Sequence, residues 1–426
     1  MLVQDGERQL REFTQRNYPE TVLEVTKGVW HVLGMGHSNA VFVEGVSSVI
    51  LIDTLDTLER GERLRALIRQ KTGKEVKTIL YTHGHPDHCG GAGAFQTSAS
   101  EIIAFAPERP ALKKTELLQD IQNLRGGRQF GYTLSEDEAV SQGIGPREGI
   151  NYGERRAFVP PTTVYRQEEA VREIDGVQLE LVRLPGEAED EMMVWLPQTK
   201  VLCCGDNYFG CFPNLYAIRG GQYRDLAVWT DSIEKILSYP AQYLLPGHTA
   251  AVTGNSHIRE VLENFRGAID HILTKTLEGM NEGKSAEQLA AEIRLPQRYA
   301  GLPFLAEHYG CVEWTVREIY AAYLGWFDGN PTNLHPLAPR QHACKMLALA
   351  GGAAKALAAA QTALAEQDYQ WCLELCDLLL AAEESAGVRQ LKAAALEKLA
   401  AYETSANGRH YYLACAKELK NDQEAH

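Results

Sequence analysis

Lys77-Thr-Ile-Leu-Tyr-Thr-His83-Gly-His85-Pro-Asp87-His88-Cys-Gly-Gly91 is the stretch on which the reading of this chain turns. Ile79, Leu80 and Tyr81 make a short apolar run of the kind a buried strand shows. The run stops in a loop carrying three imidazoles and a carboxylate within six residues, and Gly90-Gly91 then frees the backbone. A buried strand is a rigid platform, so polar side chains at its end can converge on one point. Imidazole and carboxylate together suit zinc or a similar divalent ion. The competing interpretation is a solvated polar loop, and the density of the H-x-H-x-D-H pattern argues against it.

Working outward, 426 residues exceed one ordinary core, so two or three domains are expected. Hydrophobic residues at 45% and charged residues at 23% fit a globular protein. The net charge of −14, uninterrupted by any basic tract, argues against a nucleic-acid partner. It also means that an anionic substrate must be held by local cations. The nine cysteines contain no C-x-x-C pair, which points to reduced, mostly buried thiols. The N-terminal Met1-Leu-Val-Gln-Asp-Gly-Glu-Arg8 has no apolar core of signal-peptide length. No run approaches the ~20 apolar residues that span a bilayer. A cytoplasmic protein without a membrane span is the expectation.

The metal loop resembles the signature of the metallo-β-lactamase fold, in which H-x-H-x-D-H supplies ligands to two adjacent metals. Strands over Val22–Leu33, Ala40–Glu44 and Ser48–Asp53, then a helix over Thr57–Thr72, lead into that loop as an α/β arrangement. Asp53 reads as a turn carboxylate or a support behind a ligand. Residues 105–165 read as an insertion draped in part over the site mouth, with Tyr132 and Tyr152 assigned to surface or packing. A strand over Val177–Leu184 ends at Pro185-Gly186 and delivers Glu187, at the head of Gly186-Glu-Ala-Glu-Asp-Glu191-Met192. A glutamate there resembles the alkylsulfatase branch; Glu189 and Glu191 read as plain acidic-loop residues. Cys203-Cys204-Gly205-Asp206 and Tyr243-Leu-Leu-Pro-Gly-His248 each put a further ligand type after a short apolar strand. Cys89 and Cys204 lie near these positions but match no ligand place.

The resemblance implies an αββα metallo-β-lactamase sandwich over 1–255, followed by an all-α dimerisation and helical-repeat region over 256–426. It implies two divalent ions, zinc favoured. His83, His85 and Glu187 hold one, Asp87, His88 and His248 the other, and Asp206 and a hydroxide bridge them. Asp87 and Asp206 are then the catalytic carboxylates, and two close cations bring a water's pKa from ~15.7 toward ~7. Asn214-Leu-Tyr216-Ala-Ile-Arg219-Gly220 and Arg224-Asp225 resemble the stretch that contacts sulfate, so Asn214, Tyr216, Arg219 and Arg224 are the substrate candidates. A plain Arg224–Asp225 ion pair is the alternative for that dipeptide. Pro213 stands where the family commonly has histidine, which leaves the general acid unassigned.

His257–Met280 is amphipathic, Ser285-Ala-Glu-Gln288 carries a capping box, and 340–419 resolves into alanine- and leucine-rich helices of tetratricopeptide-like spacing. Tyr323-Leu-Gly-Trp326-Phe-Asp-Gly329-Asn-Pro331 and Leu334-His-Pro-Leu337 resemble the alkylsulfatase dimerisation domain, which implies a homodimer. His308 and His335 read as packed or capping residues. No counterpart of the sterol-carrier-like domain of many members follows in this sequence. The function expected is zinc-dependent hydrolysis of alkyl sulfate esters to alcohol and sulfate. The alternatives are a dimetal hydrolase of phosphodiesters, lactones or thioesters, and a non-catalytic metal-binding scaffold.

Overall fold

A computed structural model of the chain describes residues 5–109 and 112–421. Residues 1–4, on which part of the signal-peptide reading rests, lie outside them. The first sheet has seven strands in sequence order: β1 (Thr21–Thr26), β2 (Val29–Leu33), β3 (Ala40–Glu44), β4 (Val49–Ile52), β5 (Val76–Leu80), β6 (Glu101–Phe105) and β7 (Thr163–Tyr165). The second has six: β8 (Glu169–Ile174), β9 (Val177–Arg183), β10 (Met192–Leu196), β11 (Val201–Gly205), β12 (Tyr243–Pro246) and β13 (Val252–Thr253). The stretch read as one strand over Val22–Leu33 is a hairpin, because Lys27-Gly28 turns the chain and β1 pairs antiparallel with β2.

Parallel pairing puts β4 beside β5 and β11 beside β12. Parallel strands are covered on both faces and so read as continuous apolar runs. Val49–Ile52 and Val201–Gly205 are buried at every position. The inner faces meet in one core, with Val41, Ile50, Ile52 and Leu80 from the first sheet against Leu181, Val194, Val201 and Leu245 from the second. The helix Leu58–Thr72 covers the outer face of the first sheet through Leu64 and Ile68. Thr57 caps its start, accepting from the Arg60 amide, and Gly73 ends it in the left-handed region. The helices Leu226–Leu237 and Asn255–Asn281 cover the second sheet through Trp229, Ile233, Leu262 and Phe265. This is the αββα sandwich.

That last core continues without interruption into the helical region, taking in Leu289, Tyr299, Val316 and Ile319. A separate core then joins the helices Ala353–Ala365, Tyr369–Ala382, Ala386–Tyr402 and Ala406–Asn421, each packed on the next. The insertion is more regular than the sequence suggests. It holds the helix Gln119–Gln129, and the C-terminal helix fastens it: Arg128 pairs with Glu418 (3.0 Å), and His410 faces the Gln129 and Ala139 carbonyls at 2.9 Å each. Among the described residues no single helix is long and apolar enough to cross a membrane. All nine cysteines are free thiols.

Candidate metal centre

The site forms where strands end. His83, His85, Asp87 and His88 follow β5; Glu187 follows β9; Asp206 follows β11; His248 follows β12. Because β11 and β12 run parallel, their final residues bring Asp206 and His248 to the same edge. Two glycines make this approach possible. A Cβ on Gly247 would lie 2.3 Å from Asp206 Oδ1, and one on Gly205 (φ +54) 2.1 Å from Glu191 Oε1.

All seven ligand candidates converge. Asp206 Oδ2 lies 3.2 Å from His248 Nε2, 3.4 Å from His88 Nε2 and 3.8 Å from His83 Nε2. Asp87 Oδ2 lies 3.3 Å from His248 Nε2 and 3.4 Å from His88 Nε2. His83 Nε2 is 2.8 Å from His85 Nδ1. His85, Glu187 and Asp206 form one group able to hold an ion, and His83, His88 and Asp206 another. Asp206 belongs to both, and the second group takes one histidine from each of the two expected metal positions.

The residues fit divalent ions on chemical grounds too. Glu187 Oε2 and Asp206 Oδ1 are buried without a hydrogen-bond partner, which is costly for carboxylates unless a cation meets them. The buried carboxylates draw positive charge to this spot. Burial would lower His88 and His248, yet Asp206 and Asp87 outweigh it, holding His88 well above the usual range and His248 at about 10. Burial pushes Glu187 up to about 7 against the nearby Arg224. His83 is held well below its ordinary value by burial and by His88, and His85 falls to about 3 through burial and Arg224.

Supporting groups stand behind the ligand candidates. Asp53, with φ 59, accepts from the Thr82 amide (2.8 Å) and Thr82 hydroxyl (2.7 Å) and lies 2.8 Å from His88 Nδ1. Carboxylates in this position fix the tautomer of a ligating histidine. Glu191 corrects the acidic-loop reading. It is fully buried, accepts from the Asp206 amide at 2.6 Å and lies 3.4 Å from His83 Nδ1. Its carboxyl is raised well above the ordinary range by burial and by Asp206. Cys89 donates to the His85 carbonyl at 3.1 Å, and burial raises its thiol to about 12.

Two cavities open on the cluster. One, of about 590 Å³, is lined by Tyr216, Arg219, Tyr223, Arg224, Arg109 and Glu187. The other, of about 370 Å³, is lined by Asp87, Asp206, His248, Phe130, Tyr132 and Tyr309 among others. Arg219 borders both. Arg224 lies 3.0 Å from Glu187 and donates to the Asn214 carbonyl, while Asp225 caps the helix Leu226–Leu237 through the Ala227 and Val228 amides. The Arg224–Asp225 pair is therefore not what forms. Asn214 is buried beneath this wall with both amide atoms unpartnered. Tyr132, assigned to packing, instead reaches the second cavity and donates to Glu148 at 2.6 Å, while Tyr152 is half exposed.

Sequence reasoning missed His37 and Tyr309. The signal was present in Gly36-His37-Ser38-Asn39, polar residues after an apolar strand, but no ligand spacing linked it to the main loop. His308 is packed, its ring stacked on Phe13 at 4.2 Å, and His335 is exposed.

The sandwich and the convergent His/Asp/Glu edge define a member of the metallo-β-lactamase superfamily, whose family model matches residues 33–248. Residues 285–422 match the model for alkyl sulfatase dimerisation. A linear primary-alkylsulfatase from a Pseudomonas species is 33% identical over 90% of this chain and 74% of its own length. An alkyl/aryl-sulfatase of Saccharomyces cerevisiae is 30% identical over 95% of this chain, which spans 65% of that protein. The crystal structure of a stereoselective inverting sec-alkylsulfatase from Pseudomonas superposes with a TM-score of 0.88 at 28% identity, covering 98% of this chain and 67% of the other. Within the superfamily, the chain belongs to the alkylsulfatase family.

Proposed function

We propose that this protein is a metal-dependent sulfuric ester hydrolase that cleaves alkyl sulfates to an alcohol and inorganic sulfate. Residues 1–255 form its catalytic unit and 256–426 its dimerisation region. The observation that carries the reading is the convergence of seven ligand-type side chains, two with orphaned buried oxygens, beside a cavity that Arg109, Arg219 and Arg224 line together with Glu187, Glu189 and Asp190.

His83, His85 and Glu187 would hold one divalent ion and Asp87, His88 and His248 a second, with Asp206 shared; imidazole-rich ligation favours zinc. When bound, the ions supply Lewis acidity and lower the pKa of water at the site. The chain's own residues do the rest. Arg219 and Arg224 offer planar N–H donors matched to the oxygens of a sulfate monoester, and Tyr216 stands on the same wall. Arg224, tied to both Glu187 and the Asn214 backbone, sets the distance between anion-holding loop and metal centre. Asn214, buried and lining neither cavity, would act through its backbone carbonyl, which holds Arg224 in place. Asp53 and Glu191 fix His88 and His83 from behind.

The stretch Gly325–Ala350 is almost wholly exposed, with Trp326 and Leu349 at 75% and 82%. Apolar surface of that kind marks an interface, and a second copy of the chain is its occupant. The cytoplasm is the compartment that suits nine reduced thiols. The deciding experiment measures metal content and sulfate release from dodecyl sulfate together. Wild type should carry about two ions per chain, and Asp206→Ala should lose bound metal and at least ~10³-fold in rate. Release equal to a metal-free control would end the sulfatase reading.

A further inference from the structure

We infer that His37 is an additional ligand of the second metal position, alongside Asp87, His88 and His248. The inference rests on the dimetal reading above and extends it to a residue outside the H-x-H-x-D-H loop.

A ring nitrogen of His37, an Asp87 carboxylate oxygen and a nitrogen of His248 lie within 4.8 Å of one another and form a third metal-holding group. Nδ1 of His37 is committed, 3.0 Å from the Pro146 carbonyl oxygen. A carbonyl can only accept, so Nδ1 carries the proton and Nε2 of the neutral ring keeps its lone pair. That Nε2 is 3.9 Å from Asp87 Oδ2, and the His37 and His248 rings are 5.0 Å apart. The spacing is too long for a hydrogen bond. Two donors each roughly 2.0–2.2 Å from a common ion lie roughly 3–4 Å apart, so it suits a shared cation. It resembles the 3.3 and 3.4 Å separations of Asp87 from His248 and His88.

The backbone shows that the placement is built. The carbonyl of His37 lies 3.0 Å from His248 Nδ1 and orients that ring. Ser38 Oγ donates to the Asp87 carbonyl at 2.6 Å. Asn39 donates to the Pro246 and Thr249 carbonyls at 3.0 and 2.7 Å. Three consecutive residues are thus tied to the two loops carrying Asp87 and His248, with the His37 ring turned toward the second cavity. One more imidazole makes the second position the firmer of the two and leaves fewer sites there for solvent.

The test uses the full chain and its metal content. H37A removes both the ligand and the Pro146 bond, so H37N is the deciding variant: its amide N–H can replace Nδ1–H while Nε2 is gone. Wild type and H37N, each confirmed folded by circular dichroism, are titrated with zinc against a chelator and loaded with cobalt for absorption spectroscopy. We expect H37N to keep one ion at wild-type affinity, to bind the second roughly 100-fold more weakly, and to lose a cobalt band. Two ions at wild-type affinity with an unchanged cobalt spectrum would overturn the assignment. A wild type with this His37-dependent second ion but no sulfate release would sink the proposed activity and leave the ligand standing.

Discussion

Glu191 and Asp53 line neither of the two cavities described, yet each carboxyl sits directly behind a candidate ligand and is buried beside other acidic groups. Buried carboxylates are tolerated when they are hydrogen-bonded and offset by positive charge. Glu191→Gln keeps the shape and an acceptor for the Asp206 amide but weakens the grip on His83. Metal affinity should fall ~10–100-fold with folding intact, as read by chelator competition; wild-type affinity would show Glu191 to be a packing residue. Arg219, 5.9 Å from the Phe130 ring, lines both cavities. Arg219→Ala should raise KM for a sulfate ester ~10–100-fold while changing kcat less, the signature of lost anion binding. A change confined to kcat would move Arg219 from binding to chemistry.

At the level of elements, the seam between the sandwich and the C-terminal helices is polar and exacting. Arg409 spans it, pairing with Glu7 of the N-terminal helix Gly6–Asn17 at 2.8 Å and donating to the Glu138 carbonyl of the insertion at 3.2 Å. Glu403 lies in the same seam, accepting from the Ser405 amide at 2.9 Å, and burial pushes its carboxyl up to about 7. A raised carboxyl favours the folded state in its neutral form. That contribution is complete below the ordinary value near 4.5 and disappears as pH climbs through about 7. Glu403→Gln keeps the acceptor and abolishes the titration, so at pH 8 it should stabilise by about 1–2 kcal/mol, discounted for partial exposure. Thermal unfolding from pH 5 to 8 checks this: the wild-type Tm should fall more steeply than the variant's, and parallel curves would refute it. Inside the sandwich, Ile50→Ala opens a void where the two sheets meet and should cost about 2–5 kcal/mol.

For the whole molecule, the exposed stretch between the helix Val312–Leu324 and the tail helices is the interface proposed between copies. Tyr323, at its root, packs edge-on against Tyr223 of the first cavity at 6.3 Å. The proposed interface therefore adjoins the first cavity. Trp326→Asp with Leu349→Asp should yield monomers by light scattering while each monomer keeps its metal. A dimer that persists would place the interface elsewhere. Metal removal acts on the whole fold as well, because ligands from four strand ends are left as a cluster of buried charges. A chelated protein should unfold several degrees lower and recover on adding zinc, following mass action.

The local features were legible because they are short-range. Three histidines and an aspartate within six residues after an apolar run need no partner to be recognised, and Pro-Gly turns mark where Glu187 and His248 leave their strands. Strand class followed from continuous apolar runs, since parallel strands are buried on both faces. The tertiary structure alone decided what depends on distant segments meeting. It turned Glu191 inward from an acidic loop, brought His37 to within 3.9 Å of Asp87, placed Tyr132 and Tyr309 on a cavity wall and spent Asp225 on a helix cap. A side chain's direction is fixed by packing and hydrogen bonds across the fold, and no local pattern of residues encodes those.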